Sequence, residues 1–165
     1  MFLTHEKYLE LCDTLPGKYW KEGKNYRWKY ISYVIDKMKA INPERICEAG
    51  SNGIKLNSES LEMDLPWYDL NKIPFKTLEG DILKDKFFDI FVALQVWEHL
   101  DNQQAAFKEV MRISKAAILS FPYKWKYGDK RHKNITWQII KKWTCGVRPI
   151  STHVIKERAI YIWKF

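Results

Sequence analysis

Apolar residues recur along the chain at two spacings, one typical of helices and one typical of buried strands. Residues 5–15 predict a short helix that ends at Pro16-Gly17. Residues 26–40 predict a longer helix, because their apolar side chains fall on one stripe and lysines occupy the other faces. Asn42-Pro43 ends this helix, since the residue before a proline disfavours the α conformation.

Three later segments predict strands. A short strand begins at Arg45, and residues 88–94 form an apolar run that only Asp89 interrupts. Residues 116–122 form a further apolar run. Such runs fit strands that are buried on both faces, which is the mark of a parallel sheet. Between the last two strands we expect a helix over residues 102–114, with Asp101 as its N-cap and Gln104 at the capping-box position.

The C-terminal residues predict one more helix and a hairpin. Thr136 caps a helix that ends at Cys145-Gly146. Residues 152–156 and 158–165 are rich in β-branched and aromatic residues, so a tight turn at Glu157 would pair them as antiparallel strands. The alternation of strands and helices predicts an α/β fold with a Rossmann-like, doubly wound, mostly parallel sheet and an antiparallel C-terminal hairpin strand.

Length and composition fit one globular domain over residues 1–165. Hydrophobic residues make up 46% of the chain and charged residues 29%, a mix that can bury a core without covalent staples. The three cysteines are scattered and form no CxxC pair, so we expect neither a disulfide framework nor a metal site. No apolar stretch reaches the ~18 residues of a membrane span, and the N-terminus has no signal-peptide pattern, so a cytoplasmic protein is expected.

Positive charge is concentrated in two segments. The chain carries a net charge of +8, while residues 18–40 alone hold seven basic and two acidic side chains. Residues 124–142 hold seven basic side chains and one acidic side chain. Both segments also contain Trp and Tyr, which with cations can stack on bases or sugars or can simply pack under lysine stems. An anionic ligand is therefore one interpretation and a solvated basic surface is the other; no RNA-binding motif supports specific nucleic-acid recognition.

A turn after the first predicted strand is suited to cradle a ligand. Glu48 is followed by Gly50 and Gly53, and glycine allows close approach of the backbone. Asp69 lies about 20 residues further on, at the end of a second predicted strand over residues 65–68, and this is the spacing of an acid that binds ribose hydroxyls. Asp81 is expected to end a third strand. Ligands of open α/β sheets bind at the carboxyl ends of strands, so the three acids are expected at one edge.

These segments resemble the class I S-adenosylmethionine-dependent methyltransferases, in the small-molecule branch with a type 11-like domain. Residues 47–53, CEAGSNG, are similar to the acidic glycine-rich first motif of the family. YDLN at residues 68–71 and GDIL at residues 80–83 look like its ribose and adenine acids. FDIFVALQVWEHL at residues 88–100 resembles its fourth strand and the following segment. The resemblance covers residues 45–122.

The resemblance implies a role for each matching residue. Glu48 and Gly50, within the turn that also contains Ser51 and Gly53, would line the methionine part of the cofactor. Asp69 would bind the ribose hydroxyls and Leu70 would contact the adenine. Asp81 would accept a hydrogen bond from the adenine amino group, and Ile82 would pack beside the ring. Gln95 would lie close to the sulfonium. The domain would then comprise N-terminal helices (1–43), a cofactor-binding core (44–122) and an acceptor side (123–165).

Two departures from the family pattern affect these assignments. Asn52 and Ile54 stand where the family's fuller motif has glycines, although Asn tolerates positive φ better than most residues. The helix expected between Gly53 and residue 65 is short and contains Ser58-Glu59-Ser60, which is a poor helix interior. Asp64 is therefore an alternative to Asp69 as the ribose-binding acid.

The acceptor is less well defined than the cofactor. His99 and His132 are the candidate catalytic bases, each of which is otherwise a packing or solvated histidine. The tail from residue 121 to residue 144 resembles small methyltransferases of polysaccharide and natural-product pathways, which implies O-methylation of a sugar, glycan precursor or related small metabolite. The alternatives are an RNA or protein methyltransferase that docks through its basic faces and a catalytically inactive binding module; an oxidoreductase has the least support, because its GxGxxG fingerprint is incomplete.

Overall fold

A six-stranded sheet occupies the centre of the computed structural model, which describes residues 1–64, 68–126 and 130–165. The strands are β1 (Ile46–Ala49), β2 (Leu61–Met63), β3 (Ile90–Leu94), β4 (Ala116–Pro122), β5 (Ser151–Ile155) and β6 (Arg158–Lys164). They follow the order β2-β1-β3-β4-β6-β5 across the sheet. The first four are mutually parallel, whereas β6 runs antiparallel to β4 and β5 runs antiparallel to β6. This arrangement confirms the predicted fold class.

Helices cover both faces of the sheet. The α-helices of the described residues are α1 (His5–Thr14), α2 (Lys18–Lys21), α3 (Lys24–Ile41), α4 (Gln103–Ile113) and α5 (Trp137–Trp143), and a 3₁₀ helix spans Trp97–His99. None of the helices in the described ranges has both the length and the apolar character that a bilayer crossing requires. The helices α1, α3 and α4 match those expected over 5–15, 26–40 and 102–114, each within a few residues of its predicted ends.

The central strands are buried on both sides, as their sequence predicted. Along β3, Ile90 and Val92 pack in the cluster formed with α1 and α3, whereas Phe91 and Ala93 pack in the cluster formed with α4 and α5. Alternate side chains of a strand point to opposite faces, so an unbroken apolar run is what a sheet between two helical layers needs. Asp89 interrupts the run only at its edge, where it accepts hydrogen bonds from backbone N–H groups before β1 and from Lys115 before β4.

Several local predictions were wrong in position. The N-cap of α4 is Asn102, whose side chain accepts a hydrogen bond from Ala105 N–H, rather than Asp101. No helix lies between Gly53 and β2, and the second strand is Leu61–Met63 instead of a segment that ends at Tyr68. Residues 65–67 of that predicted strand lie outside the described residues. The three residues of β2 form a strand because β1 supplies their ladder partners.

The predicted third strand before Asp81 is also absent from the described residues. A turn stands there: Thr77 N–H donates to the Asp81 carbonyl oxygen at 2.7 Å, and Gly80 has a φ of +97°. One isolated antiparallel bridge joins Lys76 to Ile82 beside this turn. A tight turn that pairs with itself contributes no ladder to the parallel sheet, so Asp81 does not lie at a strand end.

Candidate functional site

A cavity of about 370 Å³ opens at the carboxyl ends of β1, β2 and β3. Its floor includes residues that end or follow these strands, among them Gly50, Asp64 and Gln95. The helices α1, α2 and α3 supply the opposite wall. This volume lies at the lower end of the range for small-molecule sites, so it suits one ligand of cofactor size.

The turn after β1 brings the backbone close to the cavity. Gly50 has a φ of +68°, and a Cβ at this position would overlap Val96 Cγ2 and lie 3.5 Å from Val96 Cβ. Ser51 and Asn52 line the cavity, and Asn52 has a positive φ of +48°, as the sequence allowed. Gly53 is not among the lining residues, although its φ of +85° lets the chain leave the turn. Only Gly50 of the two motif glycines therefore borders the ligand space.

Glu48 lies on β1, and its carboxylate accepts hydrogen bonds from the segment that follows the turn. Its two oxygens accept hydrogen bonds from the backbone N–H groups of Leu56 and Asn57 at 2.7 and 2.8 Å. Burial raises the pKa of the Glu48 carboxyl, and these N–H donors act in the opposite direction. Leu56 also lines the cavity, so Glu48 shapes the cavity wall through the segment that it holds.

Two acids line the cavity after β2. Asp64 follows the strand directly, and its carboxylate accepts a hydrogen bond of 2.8 Å from Asn52 N–H in the glycine turn. Asp69 also lines the cavity, and its carboxylate accepts a hydrogen bond from Asn71 N–H at 3.0 Å. Leu70 is buried in the same wall, with 6% of its surface exposed. Asp64 thus occupies the strand-end position that the sequence argument gave to Asp69.

Asp81 and Ile82 do not line this cavity. Asp81 is exposed, and Ile82 is 58% exposed. The structure therefore does not bring these two predicted adenine contacts to the remaining site residues.

Gln95 closes the end of β3. It has a φ of +60°, and its backbone N–H and side-chain Nε2 donate to the carbonyl and hydroxyl oxygens of Ser120 at 3.1 and 3.0 Å. Its Oε1 is buried and accepts no hydrogen bond from any described residue. Gln95 also lines the cavity, so this unpaired oxygen lies on a residue that borders the ligand space.

An aromatic wall faces the strand ends, and the sequence did not predict it. Tyr8, Tyr19, Trp20 and Tyr30 all line the cavity from the N-terminal helices. Burial raises the pKa of Tyr30 to about 12, so its hydroxyl stays protonated at neutral pH. The aromatic residues of the first basic segment were the available signal, but their spacing alone does not separate core packing from a ligand wall.

A buried arginine fastens this wall. Arg27 has 5% of its surface exposed and donates to the carbonyl oxygens of Trp20 and Glu22 at 2.7 and 2.9 Å. Its Nε lies 3.3 Å from the Tyr8 hydroxyl, and its guanidinium carbon lies 4.4 Å from the centre of the Tyr19 ring. Arg27 therefore holds α2 against α1 and α3 at the mouth of the cavity.

The two candidate histidines come together beside the cavity. Their ring centres are 4.9 Å apart, and His99 lines the cavity. The buried Glu98 lies close to both: its Oε1 is 4.0 Å from His99 Nε2 and 3.8 Å from His132 Nε2. The sequence placed each histidine separately and did not single out Glu98.

The loop after β4 carries His132 to this position. Lys124 N–H donates to the Ile135 carbonyl and Asn134 N–H donates to the Trp125 carbonyl, so the two ends of the loop pair with each other. The Trp125 ring stacks on His132 with 5.7 Å between centres, and its Nε1 donates to the Glu157 carbonyl at 2.7 Å. Residues 127–129 of the loop lie outside the described residues.

Known proteins resemble this chain both in the sequence of its core and in its fold. Residues 45–117 match a protein family described as Methyltransferase domain, and no curated protein matches the chain. The methyltransferase domain of bacterial CtHen1 is structurally similar, with 14% identity over 84% of this chain and 99% of its own and a TM-score of 0.56. Magnesium protoporphyrin IX methyltransferase from Synechocystis PCC 6803 with bound SAH is similar at 12% identity over 91% and 88% of the two chains, also with a TM-score of 0.56.

A third similar structure comes from a complex of two proteins. It is a complex between a methyltransferase activator and a putative methyltransferase of Haloferax volcanii, with 6% identity over 96% of this chain, 97% of that chain and a TM-score of 0.54. Identities this low establish a shared fold alone. The family match over residues 45–117 is a match in sequence, and it includes the glycine turn and β3.

Proposed function

We propose that this chain, which belongs to the class I S-adenosylmethionine-dependent methyltransferases, O-methylates a small-molecule acceptor such as a sugar, a glycan precursor or a related metabolite. The cofactor, S-adenosylmethionine, supplies a methyl group on a sulfonium centre for in-line displacement. The observation that carries the proposal is the cavity at the strand ends, where the glycine turn, two acids and Gln95 border one ligand-sized space.

The lining residues fit the polar and apolar parts of this cofactor. Gly50 and Ser51 offer a close backbone surface for its methionine part, and Gln95 Oε1 is a buried acceptor for one of its N–H donors. Leu70 offers an apolar contact for the adenine. Asp81 and Ile82 receive no role in this proposal, because they lie outside the cavity.

We assign the ribose hydroxyls to Asp64 in preference to Asp69. Asp64 stands at the end of the strand next to β1, and Asn52 N–H already orients its carboxylate. The Asp69 carboxylate instead accepts a hydrogen bond within its own loop. A carboxylate at this edge of the sheet can accept hydrogen bonds from both ribose hydroxyls.

Charge and aromatic side chains favour an anionic or sugar-linked acceptor. Arg158 contacts both basic segments, because its guanidinium carbon lies 5.6 Å from the Tyr30 ring centre and 3.9 Å from the Trp125 ring centre. The segments therefore adjoin beside the cavity wall to which Tyr30 contributes. A joined positive surface raises the local concentration of anions. His99 lines the same cavity and His132 packs against it, so these two residues would activate the acceptor hydroxyl.

Calorimetric titration tests the cofactor half of the proposal. S-adenosylhomocysteine should bind the wild type with micromolar affinity, and Asp64→Asn should weaken binding at least tenfold. Asp69→Asn should have a smaller effect, and Asp81→Asn is a matched control that should bind as the wild type does. A folded wild type that binds neither S-adenosylmethionine nor S-adenosylhomocysteine would overturn the proposal; the larger loss in Asp69→Asn would reverse the assignment of the ribose.

A methyl-transfer screen tests the acceptor half. Transfer of radiolabelled methyl groups to sugar nucleotides or glycans would support it. Transfer only to RNA or protein, with binding that weakens steeply as salt increases, would contradict the small-molecule assignment and favour a docking role for the basic surface.

A further inference from the structure

We propose that Glu98, His99 and His132 form a binding site for one divalent transition-metal ion at the acceptor end of the cavity. The proposal rests on the proposed function, since the ion would act on the acceptor hydroxyl. The donor atoms of these three residues lie within 4.8 Å of one another. Two imidazole nitrogens and a carboxylate oxygen are the ligand set of many catalytic metal sites.

The distances are close to those that an ion requires. A four-coordinate ion holds N and O donors at ~2.1 Å, which places neighbouring donors roughly 3.4 Å apart. The Glu98 Oε1 atom is 3.8 Å from His132 Nε2 and 4.0 Å from His99 Nε2. Side-chain rotations that move each donor by less than about 1 Å would therefore complete the site.

The surrounding structure fixes the ligands from two directions. Glu98 and His99 are consecutive in the 3₁₀ helix, where His99 N–H donates to the Val96 carbonyl at 3.0 Å. The Glu98 side chain is fully buried, so its carboxylate is presented in a region of low dielectric. The Trp125 ring, stacked on His132, fixes the plane of the third ligand. Neighbours that fix the rotamers of ligating side chains reduce the rotamer freedom lost when an ion binds.

The site faces the reacting atoms through His99. This residue lines the cavity together with Gln95, which stands at the end of β3. Three protein ligands leave an open coordination position, as in catalytic metal sites. An acceptor hydroxyl bound there would lose its proton to solvent more easily, because the cation stabilises the oxyanion. The oxygen would then form its bond to the methyl carbon as the C–S bond breaks, leaving S-adenosylhomocysteine, so His99 and His132 act as ligands rather than as bases.

Metal binding can be measured without any acceptor. The wild type, treated with a chelator and dialysed, is titrated with Co²⁺ and its visible absorption is recorded; calorimetry with Zn²⁺ gives the stoichiometry. Mixed imidazole and carboxylate donors favour these ions over Mg²⁺, which serves as the negative probe. We expect one ion per chain for the wild type. We expect at least a tenfold loss of affinity in Glu98→Gln and in His132→Ala.

His153→Ala is the matched control. His153 is exposed on the outer strand β5 and stacks on Tyr33 at 4.5 Å, so its loss should leave metal binding unchanged. His132→Gln provides a second variant that retains a polar side chain if His132→Ala fails to fold.

S-adenosylhomocysteine binding separates this inference from the proposed function. We expect all four variants to bind it as the wild type does. A wild type that binds S-adenosylhomocysteine but neither Co²⁺ nor Zn²⁺ overturns the metal site alone and makes the cluster a set of interactions within the protein. Equal metal affinity in wild type and His132→Ala also overturns it. A wild type that fails to bind S-adenosylhomocysteine overturns the proposed function.

Discussion

Replacement of Gly50 by alanine tests how the glycine turn is held at the end of β1. The new methyl group would overlap Val96 Cγ2 and lie 3.6 Å from Val96 Cγ1. Val96 cannot easily turn away, because β-branched side chains have few allowed χ1 rotamers. The φ of +68° adds a second cost that is independent of space, since L-residues disfavour left-handed backbone.

The two costs can be given separate magnitudes. Left-handed backbone costs a non-glycine residue roughly 1–2 kcal/mol. Overpacking typically costs roughly 1–3 kcal/mol. We therefore expect Gly50→Ala to lower the free energy of unfolding by about 2–5 kcal/mol, and each kcal/mol lowers the Tm of a domain of this size by ~2–4 °C.

Urea unfolding of four variants measures each part. Gly80→Ala is the control for backbone strain alone, because Gly80 has a φ of +97° and nothing lies within 4 Å of its added Cβ. In the Gly50→Ala background, Val96→Ala should restore about 1–3 kcal/mol, which would appear as a coupling energy in the double-mutant cycle. Equal losses in Gly50→Ala and Gly80→Ala, with no coupling to Val96, would refute the steric argument.

Two further predictions concern side chains that tie separate segments of the fold together, Asp89 at the start of β3 and Arg27 beside the cavity. The Lys115 ammonium and two backbone N–H groups lower the pKa of Asp89 to about 2. Because solvent screens this partly exposed group, we expect it to contribute roughly 1 kcal/mol to stability above a pH of ~4, and this contribution is lost as the pH falls to 2. Acid unfolding should show the difference between wild type and Asp89→Asn shrinking over that window; a constant difference would contradict it. Arg27→Met should lower the free energy of unfolding by roughly 2 kcal/mol or more and weaken S-adenosylhomocysteine binding, because the carbonyl of the cavity residue Trp20 loses a charged donor. Unchanged affinity measured by calorimetry would show that α2 does not form part of the binding wall.

The fold was predictable because its central elements carry strong local signals. The strand β4 lies at Ala116–Pro122, as predicted from an apolar run that only Ser120 interrupts, and β5 and β6 pair as the hairpin expected from their β-branched and aromatic residues. Burial on both faces favours apolar residues at most positions of a strand, so such a strand can be recognised directly in the sequence.

The position of β2 was not predictable in the same way. Leu61 and Glu62 are exposed and only Met63 is buried, so the strand has no apolar run to mark it. Its backbone is ordered by the ladder with β1, which is a property of the neighbouring strand. This displacement changes which acid stands at the strand end and favours Asp64 over Asp69.

The sequence by itself determined the type of most elements and the chemistry of the glycine turn, because both depend on residues that are close along the chain. Only the tertiary structure decided which side chains share the cavity. Arg27 brings the aromatic wall to the strand ends, and the paired loop that holds Trp125 brings His132 to His99 and Glu98. These contacts join residues far apart in sequence, and they form only when packing of the whole domain offsets the entropy of closing the loops between them.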